Sequence, residues 1–552
     1  MSGERVYGID LGTTYSCIAY VDEHGKPVVL QNAEGEATTP SVVYFESANN
    51  IVVGQTAKEV AAIYPDLCVS TVKRVMGDPK WAGTFYEQTY KPQDISSFIL
   101  RKLVKDAERV TGDTIREVVI TCPAYFGINE KEATRQAGQI AGLNVRYVIP
   151  EPTAAAIAYG IEQTEDQVIL VYDLGGGTFD VTLIEIKAGE ITVICTGGDR
   201  LLGGKDWDDC VVSYFAQAFA AATGTPAAAL VDDKETYQEL LTAAEKCKKM
   251  LHSSQKVTEA VRFGGERVKV DLTRETFDQI TAQLLERTLM LTEQEIEKAR
   301  QKGHSKIDKL LLVGGSTYMQ QVVEAVKQRF PFEVRQFDPN QAVAKGAAIY
   351  GFRCYLEEQI KIRVASDTGQ APEKVDLPTV DPRILAEAQS AVARDQGMPV
   401  LKLKGLVETT ITNVTSKSFG VVAFDHDDRQ KVSNLIEVNQ QVPKTITQQF
   451  ATRADRQVSA EIQCMENLLA QAQAEISEST EIGKATLEFG KPLPQGSPIE
   501  ITFDLGPDGL LQVHGRDLTT GREIDTKIKT DAVMSEEEVA AATSRNRSLQ
   551  VA

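Results

Sequence analysis

The chain reads as an α/β fold built twice, with an all-β domain after it. Three observations predict this. The motif Asp10-Leu11-Gly12-Thr13-Thr14 returns as Asp173-Leu174-Gly175-Gly176-Gly177-Thr178. Strand-like runs alternate with helical stretches up to Phe352, and after Val400 the pattern turns to β structure. The first copy of the motif lies between Val6-Tyr7-Gly8-Ile9 and Cys17-Ile18-Ala19-Tyr20-Val21. The second lies between Val168-Ile169-Leu170-Val171-Tyr172 and Val181-Thr182-Leu183-Ile184-Glu185-Ile186. Each copy is therefore a strand, a tight Gly/Thr turn and a strand, whose N–H groups and hydroxyls can close around a phosphate. The aspartate ending each incoming strand is placed to hold a cation or its water.

Helical spacing is expected over 130–141 and over 278–300, the latter carrying Ile280, Leu284, Leu285, Thr288, Leu289 and Ile296. The stretch 366–372, followed by Pro378, Pro382 and Pro399, reads as a linker. Within it Ile384, Leu385, Ala388, Ala391 and Val392 line one face of a short helix. Further on, Ile499, Ile501, Phe503 and Leu505 alternate with Glu500, Thr502 and Asp504, as in a strand with one buried face. Turns are expected at Gly506-Pro507-Asp508-Gly509 and Thr519-Thr520-Gly521-Arg522, and Ser535 with Glu538 signals a helix start.

A chain of 552 residues is too long for one core. Its net charge of −19 argues against a general nucleic-acid binder. Eight scattered cysteines without a CxxC pair fit neither a zinc site nor a disulfide framework, and suggest reduced thiols. No signal-like start and no run of 18 apolar residues is evident, so a cytoplasmic protein without membrane contact is expected.

Four segments carry the chemistry. Two are the hairpin turns. The third is Leu310-Leu311-Leu312-Val313-Gly314-Gly315-Ser316-Thr317, an apolar strand ending in small residues over which a nucleoside can pack. The fourth is Glu151-Pro152-Thr153-Ala154, with its carboxylate at a strand end. There is no GxxxxGK[ST] and no GxGxxG after a strand, so phosphate binding would use paired hairpins rather than a Walker lysine.

In this order the four segments resemble the ATPase domain of the DnaK-type (seventy-kilodalton heat-shock) chaperones, within the actin-like superfamily. The segments Cys122-Pro123-Ala124-Tyr125-Phe126, Ser70-Thr71-Val72-Lys73-Arg74 and Gly203-Gly204-Lys205-Asp206 are also family-like. The β region resembles the family's peptide-binding sandwich, including Val442-Pro443 and Phe503-Asp504-Leu505. The resemblance implies an actin-like ATPase domain over 1–365, a linker with an extra helical segment over 366–407, a β-sandwich over 408–530 and the start of a helical lid over 531–552.

By that resemblance Asp10, Asp173 and Glu151 hold Mg²⁺ through its waters, and Asp180 stands near a K⁺ ion and the attacking water. Gly12, Thr13, Thr14, Tyr15, Gly175, Gly176, Gly177, Thr178, Gly203 and Gly204 surround the phosphates of ATP or ADP, and Lys73 approaches the γ-phosphate. Glu245, Lys248, Lys249, His252, Gly314, Gly315, Ser316, Tyr318 and Asn340 make the nucleoside side. Pro123 and Lys131 take the positions of the family's interdomain relay, Lys131 standing where an arginine is usual. Val421, Phe424, Phe450, Ala460 and Ile462 match a cleft that grips an extended peptide. The implied activity is slow, partner-stimulated ATP hydrolysis coupled to binding of unfolded hydrophobic polypeptides, with J-domain and nucleotide-exchange partners.

The departures are specific. Lys249, His252, Tyr318 and Asn340 replace the family's usual residues, which predicts weaker ATP binding. The linker aligns with Glu408-Thr409-Thr410-Ile411-Thr412-Asn413 and has lost most of its apolar surface. Ala460 stands where a larger aliphatic residue is common, giving a roomier pocket. The lid is nearly absent, which predicts fast peptide exchange. One alternative is an ATPase of the same fold serving a single dedicated partner; another is a metabolite kinase, which the β domain disfavours.

Overall fold

The computed structural model describes residues 5–160, 165–187, 189–425, 427–506, 509–527 and 533–552, the side chains of 525–527 excepted. Pro507 and Asp508 of the expected turn, and residues 528–532 around the expected sandwich–lid boundary, lie outside the described residues.

The duplication is visible in two sheets with one plan. In the first, Val6–Asp10 pairs antiparallel with Tyr15–Val21 and parallel with Glu117–Cys122, which pairs parallel with Asn144–Pro150. In the second, Gln167–Leu174 pairs antiparallel with Phe179–Lys187 and parallel with Lys309–Val313, which pairs parallel with Glu333–Gln336. Each hairpin sits in the middle of its sheet, so both turns open at corresponding sheet ends. The helices Glu151–Gly160 and Ala342–Thr368 fill the core beside these sheets. Close approach there demands glycine. A Cβ on Gly346 would lie 1.7 Å from the Ala154 carbonyl oxygen, and one on Gly8 would lie 2.1 Å from the Ala348 nitrogen.

The expected linker is not free. The helix Ala342–Thr368 runs past position 365 and stops at Gly369, whose left-handed φ of 71° ends it. After it, Pro382–Asp395 and Val400–Glu408 form two helices that, with Met398 between them, bury Ala388, Val392, Ala393, Leu403 and Leu406 in the same core. The alternation of apolar residues along 384–392 was enough to mark the first of these helices, but not what it covers. Leu401, by contrast, is 83% exposed.

Thr410–Val414 then joins the second sheet as a strand parallel to Glu190–Asp199, with Ile191 opposite Ile411. Docking without much apolar surface has a simple cause: a ladder needs only main-chain groups. Two further sheets pack face to face beyond it. One runs Gln473–Ala474, Gln430–Ile436, Ser418–Phe424, Gln457–Asn467, Thr480–Leu493; the other runs Lys444–Ala451, Pro498–Leu505, Leu511–Asp517, Glu523–Lys527. Ile499, Ile501, Phe503 and Leu505 point into the shared core as their alternation predicted.

The C-terminal helix Glu536–Ser548 starts at the expected Ser535/Glu538 capping box. It packs on the first duplicated lobe, however, and not over the sandwich. Met534, Ala542 and Val539 meet Ile140, and Asn546, fully buried, donates to Ser97 Oγ at 2.9 Å. Gln550–Val551 finally pairs parallel with Asn50–Val53, seating Leu549 and Val551 in the first lobe's core. All eight cysteines are unpaired thiols, and no described helix is long and apolar enough to cross a membrane.

Candidate active site and peptide cleft

The two hairpin turns interlock. Gly12 N–H donates to Ser16 Oγ at 3.0 Å and Ser41 Oγ donates to the Gly12 carbonyl at 2.8 Å, which closes the first turn. In the second, Gly175 N–H donates to the Thr178 carbonyl at 3.0 Å. A Cβ on Gly176 would come 2.0 Å from Thr14, and one on Gly177 would come 2.2 Å from Thr13. Gly203 lies against Gly177 in the same way, at 2.5 Å, while Gly204 N–H donates to the Gly175 carbonyl and Lys205 N–H to the Gly176 carbonyl. Ser316 Oγ also donates to the Gly175 carbonyl, at 2.8 Å. Gly176 and Gly177 are thus required by the Thr14 and Thr13 side chains that lie against their backbone, and Gly203 by the backbone of Gly177.

Asp10, Asp173, Asp180 and Glu151 surround the buried ammonium of Lys73, which is ion-paired with Glu151. Burial pushes the Asp10 carboxyl up to about 7, with the Glu151 charge adding to the effect and Lys73 opposing it. Burial, then neighbouring carboxylates led by Glu151, hold Asp173 and Asp180 well above the usual range. Burial alone would lower Lys73, but the Glu151 and Asp10 charges outweigh it and the amine stays protonated. Asp180 Oδ1 accepts the Ala124 N–H at 3.0 Å, and its Oδ2 is buried without a protein partner.

Four carboxylates around one buried lysine suit a cation and a polyphosphate together. Among the described residues no three His, Cys, Asp or Glu side chains come close enough to ligate one ion directly. These residues therefore fit Mg²⁺ held through water, with the unpartnered Asp180 oxygen free to meet a water.

Over the turns, Tyr15 joins the two lobes. Its hydroxyl donates to Glu245 at 3.0 Å and accepts from Lys58 at 2.8 Å and Lys249 at 2.9 Å. The Lys58 and Lys249 charges overcome burial and hold the Glu245 carboxyl at about 2. Lys248 is turned elsewhere: it donates to Asp208 and to the Gly204 carbonyl, both at 2.8 Å. Of the expected nucleoside residues, Lys248 thus braces the phosphate turn and Lys249 serves the inter-lobe tie. His252 Nδ1 lies 3.0 Å from the Tyr318 carbonyl, and the Tyr318 ring is 40% exposed. Asn340 Oδ1 sits beside Gly315, 3.0 Å from where a Cβ would stand.

Sequence reading missed Lys58, Asp208 and the Arg74–Asp206 pair, in which Arg74 also donates to the Gly177 carbonyl at 2.9 Å. Their partners lie too far along the chain for spacing to reveal them. Pro123 begins the loop that holds Asp180, and Lys131 reaches the sandwich, its Nζ 2.6 Å from the Cβ position of Gly509.

In the sandwich, Ser418–Phe424 and Gln457–Asn467 pair only from Ser418/Asn467 to Val421/Cys464. Beyond that point Val422, Ala423 and Phe424 keep only Gln430–Ile436, and the 457–463 stretch keeps only Thr480–Leu493. Among the described residues the inner edges of both strands are left without a ladder. Val421 and Ile462 are sealed in the core rather than lining an open cleft, because they sit where the sheets still close on each other. Phe450 and Ala460 are half-buried against that core. Phe424 is 43% exposed, with the Arg453 guanidinium 3.6 Å over its ring and held bidentately by Asp428 at 2.8 and 2.9 Å.

A family model described as Hsp70 protein matches residues 6–84, 78–353 and 389–551. The unmatched stretch 354–388 covers the end of the helix Ala342–Thr368 and the start of the helix Pro382–Asp395, while the helix Val400–Glu408 lies inside the match. The interlocked glycine turns, the carboxylate–lysine cluster and the split-edged sandwich all fall inside the matched residues. Members of that family are ATPases and chaperones that use ATP, ADP and Mg²⁺ and bind unfolded polypeptides with J-domain and exchange-factor partners. The chain belongs to the Hsp70 family and is a chaperone ATPase of the Hsp70 kind.

Proposed function

We propose that the protein hydrolyses ATP slowly between its paired hairpin turns and binds extended hydrophobic segments of unfolded proteins in the split edge of its sandwich. The carrying observation is the buried cluster of Lys73, Glu151, Asp10, Asp173 and Asp180 directly behind two interlocked glycine turns. Mg²⁺, held through water by Asp10, Asp173 and Glu151, would neutralise phosphate charge. The turn N–H groups and the Thr13, Thr14 and Thr178 hydroxyls orient the phosphates. Lys73 can exchange Glu151 for the γ-phosphate, and the free Asp180 oxygen can accept a proton of the attacking water, with K⁺ nearby. Tyr318 offers an exposed ring to the base in place of a cation.

On the sandwich side, two unladdered strand edges offer main-chain hydrogen bonds to an extended peptide, and Phe450 and Ala460 border an apolar pocket. J-domain and exchange partners, and a cytoplasmic location, complete the proposal. Single-turnover ATPase with and without a panel of unrelated hydrophobic peptides tests it. The expected result is phosphate release that several peptides accelerate. Bound ATP that is never cleaved would overturn the hydrolysis reading, and stimulation by one protein only would favour a dedicated partner.

A further inference from the structure

The peptide units of the second glycine turn each have their carbonyl held from behind. The Gly175 carbonyl accepts Gly204 N–H at 3.0 Å and the Ser316 hydroxyl at 2.8 Å. The Gly176 carbonyl accepts Lys205 N–H at 2.8 Å. The Gly177 carbonyl accepts Arg74 Nε–H at 2.9 Å. In a trans peptide the C=O and the N–H of one unit point to opposite sides. Holding these carbonyls therefore turns the N–H groups of Gly176, Gly177 and Thr178 away from the holders. Among the described residues none of these N–H groups has a protein acceptor. Successive N–H groups left in this way form a concavity for an anion.

The holders differ in origin. Gly204, Lys205 and Ser316 belong to the same half of the duplicated fold as the turn, so their bonds move with it. Arg74 reaches over from the first lobe, where it follows Lys73 on the short turn Val72–Val75. Its side chain is 13% exposed, and its NH2 group lies 2.6 Å from Asp206 Oδ2. The same Asp206 oxygen accepts Gly203 N–H at 2.7 Å, which seats the start of the helix Gly204–Thr223. An ion pair alone would need only a cation at this place. A guanidinium adds a second direction, because its planar fork bonds a carboxylate and a carbonyl at once. Asp206 fixes that plane, and the plane aims Nε at Gly177.

We propose that Arg74 is a positioning residue for phosphate binding. It holds the Gly177 carbonyl from across the cleft and so aims the Thr178 N–H at the bound polyphosphate. The proposal rests on the reading that the phosphates of ATP lie between the paired turns.

The test uses the full chain with Arg74→Gln, Arg74→Met and Arg74→Ala. Glutamine Nε2 stands at the same point along its side chain as arginine Nε, so Arg74→Gln keeps the donor to Gly177 and loses the charge. The other two variants lose both. Calorimetry is read with Mg-ATP and with adenosine, and hydrogen exchange over 175–178 is read without nucleotide. Arg74→Gln should bind ATP within about threefold of the parent, and Arg74→Met and Arg74→Ala about tenfold or more weakly. Adenosine affinity should stay within about twofold throughout, and exchange over 175–178 should quicken only in the two donor-free variants. Equal losses of ATP affinity in Arg74→Gln and Arg74→Met would assign the effect to charge and overturn the proposal. Parent-like ATP affinity in the folded donor-free variants would overturn it too, as would equal losses for ATP and adenosine, which mark general damage. Should one donor-free variant fail to fold, the other takes its place beside Arg74→Gln. A parent chain that binds no ATP sinks the reading of the site instead, while exchange over 175–178 still reports on the hold of Arg74.

Discussion

The Lys73 ammonium, on the short turn Val72–Val75, is buried in an ion pair with Glu151, the first residue of the helix Glu151–Gly160. One residue comes from the first lobe's edge and the other from the junction between the duplicated halves. Lys73 offsets the charge of Asp10, Asp173 and Asp180, while Glu151 adds to it. Lys73→Met should lower single-turnover hydrolysis by about 100-fold or more while calorimetric ATP affinity changes far less, because the lost charge matters most when γ-phosphate charge develops. A rate within tenfold of the parent would remove Lys73 from the mechanism.

Gly177→Ala tests the interlock of the turns. The added methyl would stand 2.2 Å from Thr13, so one turn must shift. ATP affinity is expected to fall by about tenfold or more, with the melting temperature lowered only modestly, since the strain sits at the site rather than in the core. Calorimetry and thermal melts together read both quantities.

The inter-lobe tie has a pH signature. Glu245 is held at about 2, below its ordinary value, by Lys58 and Lys249. A depressed carboxyl contributes stability that is full above its unfolded pKa and is lost as pH falls through the folded one. The difference in stability between the parent and Glu245→Gln should therefore be constant at neutral pH and shrink between about pH 4.5 and 2. At neutral pH that difference is of order 3 kcal/mol. Faster ADP release from the variant is expected as well, measured by stopped flow, since Lys58 and Glu245 bridge the cleft.

The C-terminal segment behaves as part of the first lobe. Asn546 is fully buried and bonded to Ser97, while Arg545 pairs with buried Asp94 and Arg101 donates to the Leu549 carbonyl at 3.0 Å. Asn546→Ala should destabilise the ATPase part by about 2–3 kcal/mol. Hydrogen exchange should rise together in 536–551 and in the strand Asn50–Val53, which Gln550–Val551 extends. Loss of protection in the tail alone would contradict this.

In the sandwich, Arg453→Ala removes the guanidinium from the Phe424 ring and frees Asp428. A contact this exposed is worth about 0.5–1 kcal/mol, so peptide dissociation should quicken by about two- to fivefold. An unchanged off-rate would show that the Arg453–Phe424 contact plays no part in retaining the peptide.

The duplicated hairpin was legible because its chemistry is local: an apolar run, an aspartate and a glycine turn lie within a few residues of one another. The strand Pro498–Leu505 was legible for the same reason, since alternation records burial directly. The helices of 382–408 were half legible. Their apolar face showed in the residue order, yet the core they cover is made by residues far upstream. Lys248 looked like a nucleoside ligand from its helix, but Asp208, placed beside it by the helix Gly204–Thr223, claims its charge.

Residue order by itself marked the duplicated strand–turn–strand plan and its glycine turns, because these depend on short-range periodicity and on residue types that tight turns use; that Lys73, Glu151 and Asp180 would join Asp10 and Asp173 was expected only from the family resemblance. Three things were left to the tertiary structure: that a weakly apolar linker docks as a strand, that the terminal helix returns to the first lobe, and that Ser416 and Glu466 bond the Phe126 carbonyl and the Ile128 N–H. Backbone ladders and buried ion pairs between distant segments leave no periodic trace in sequence. They arise only when packing brings two edges, or two charges, together and removes the water between them.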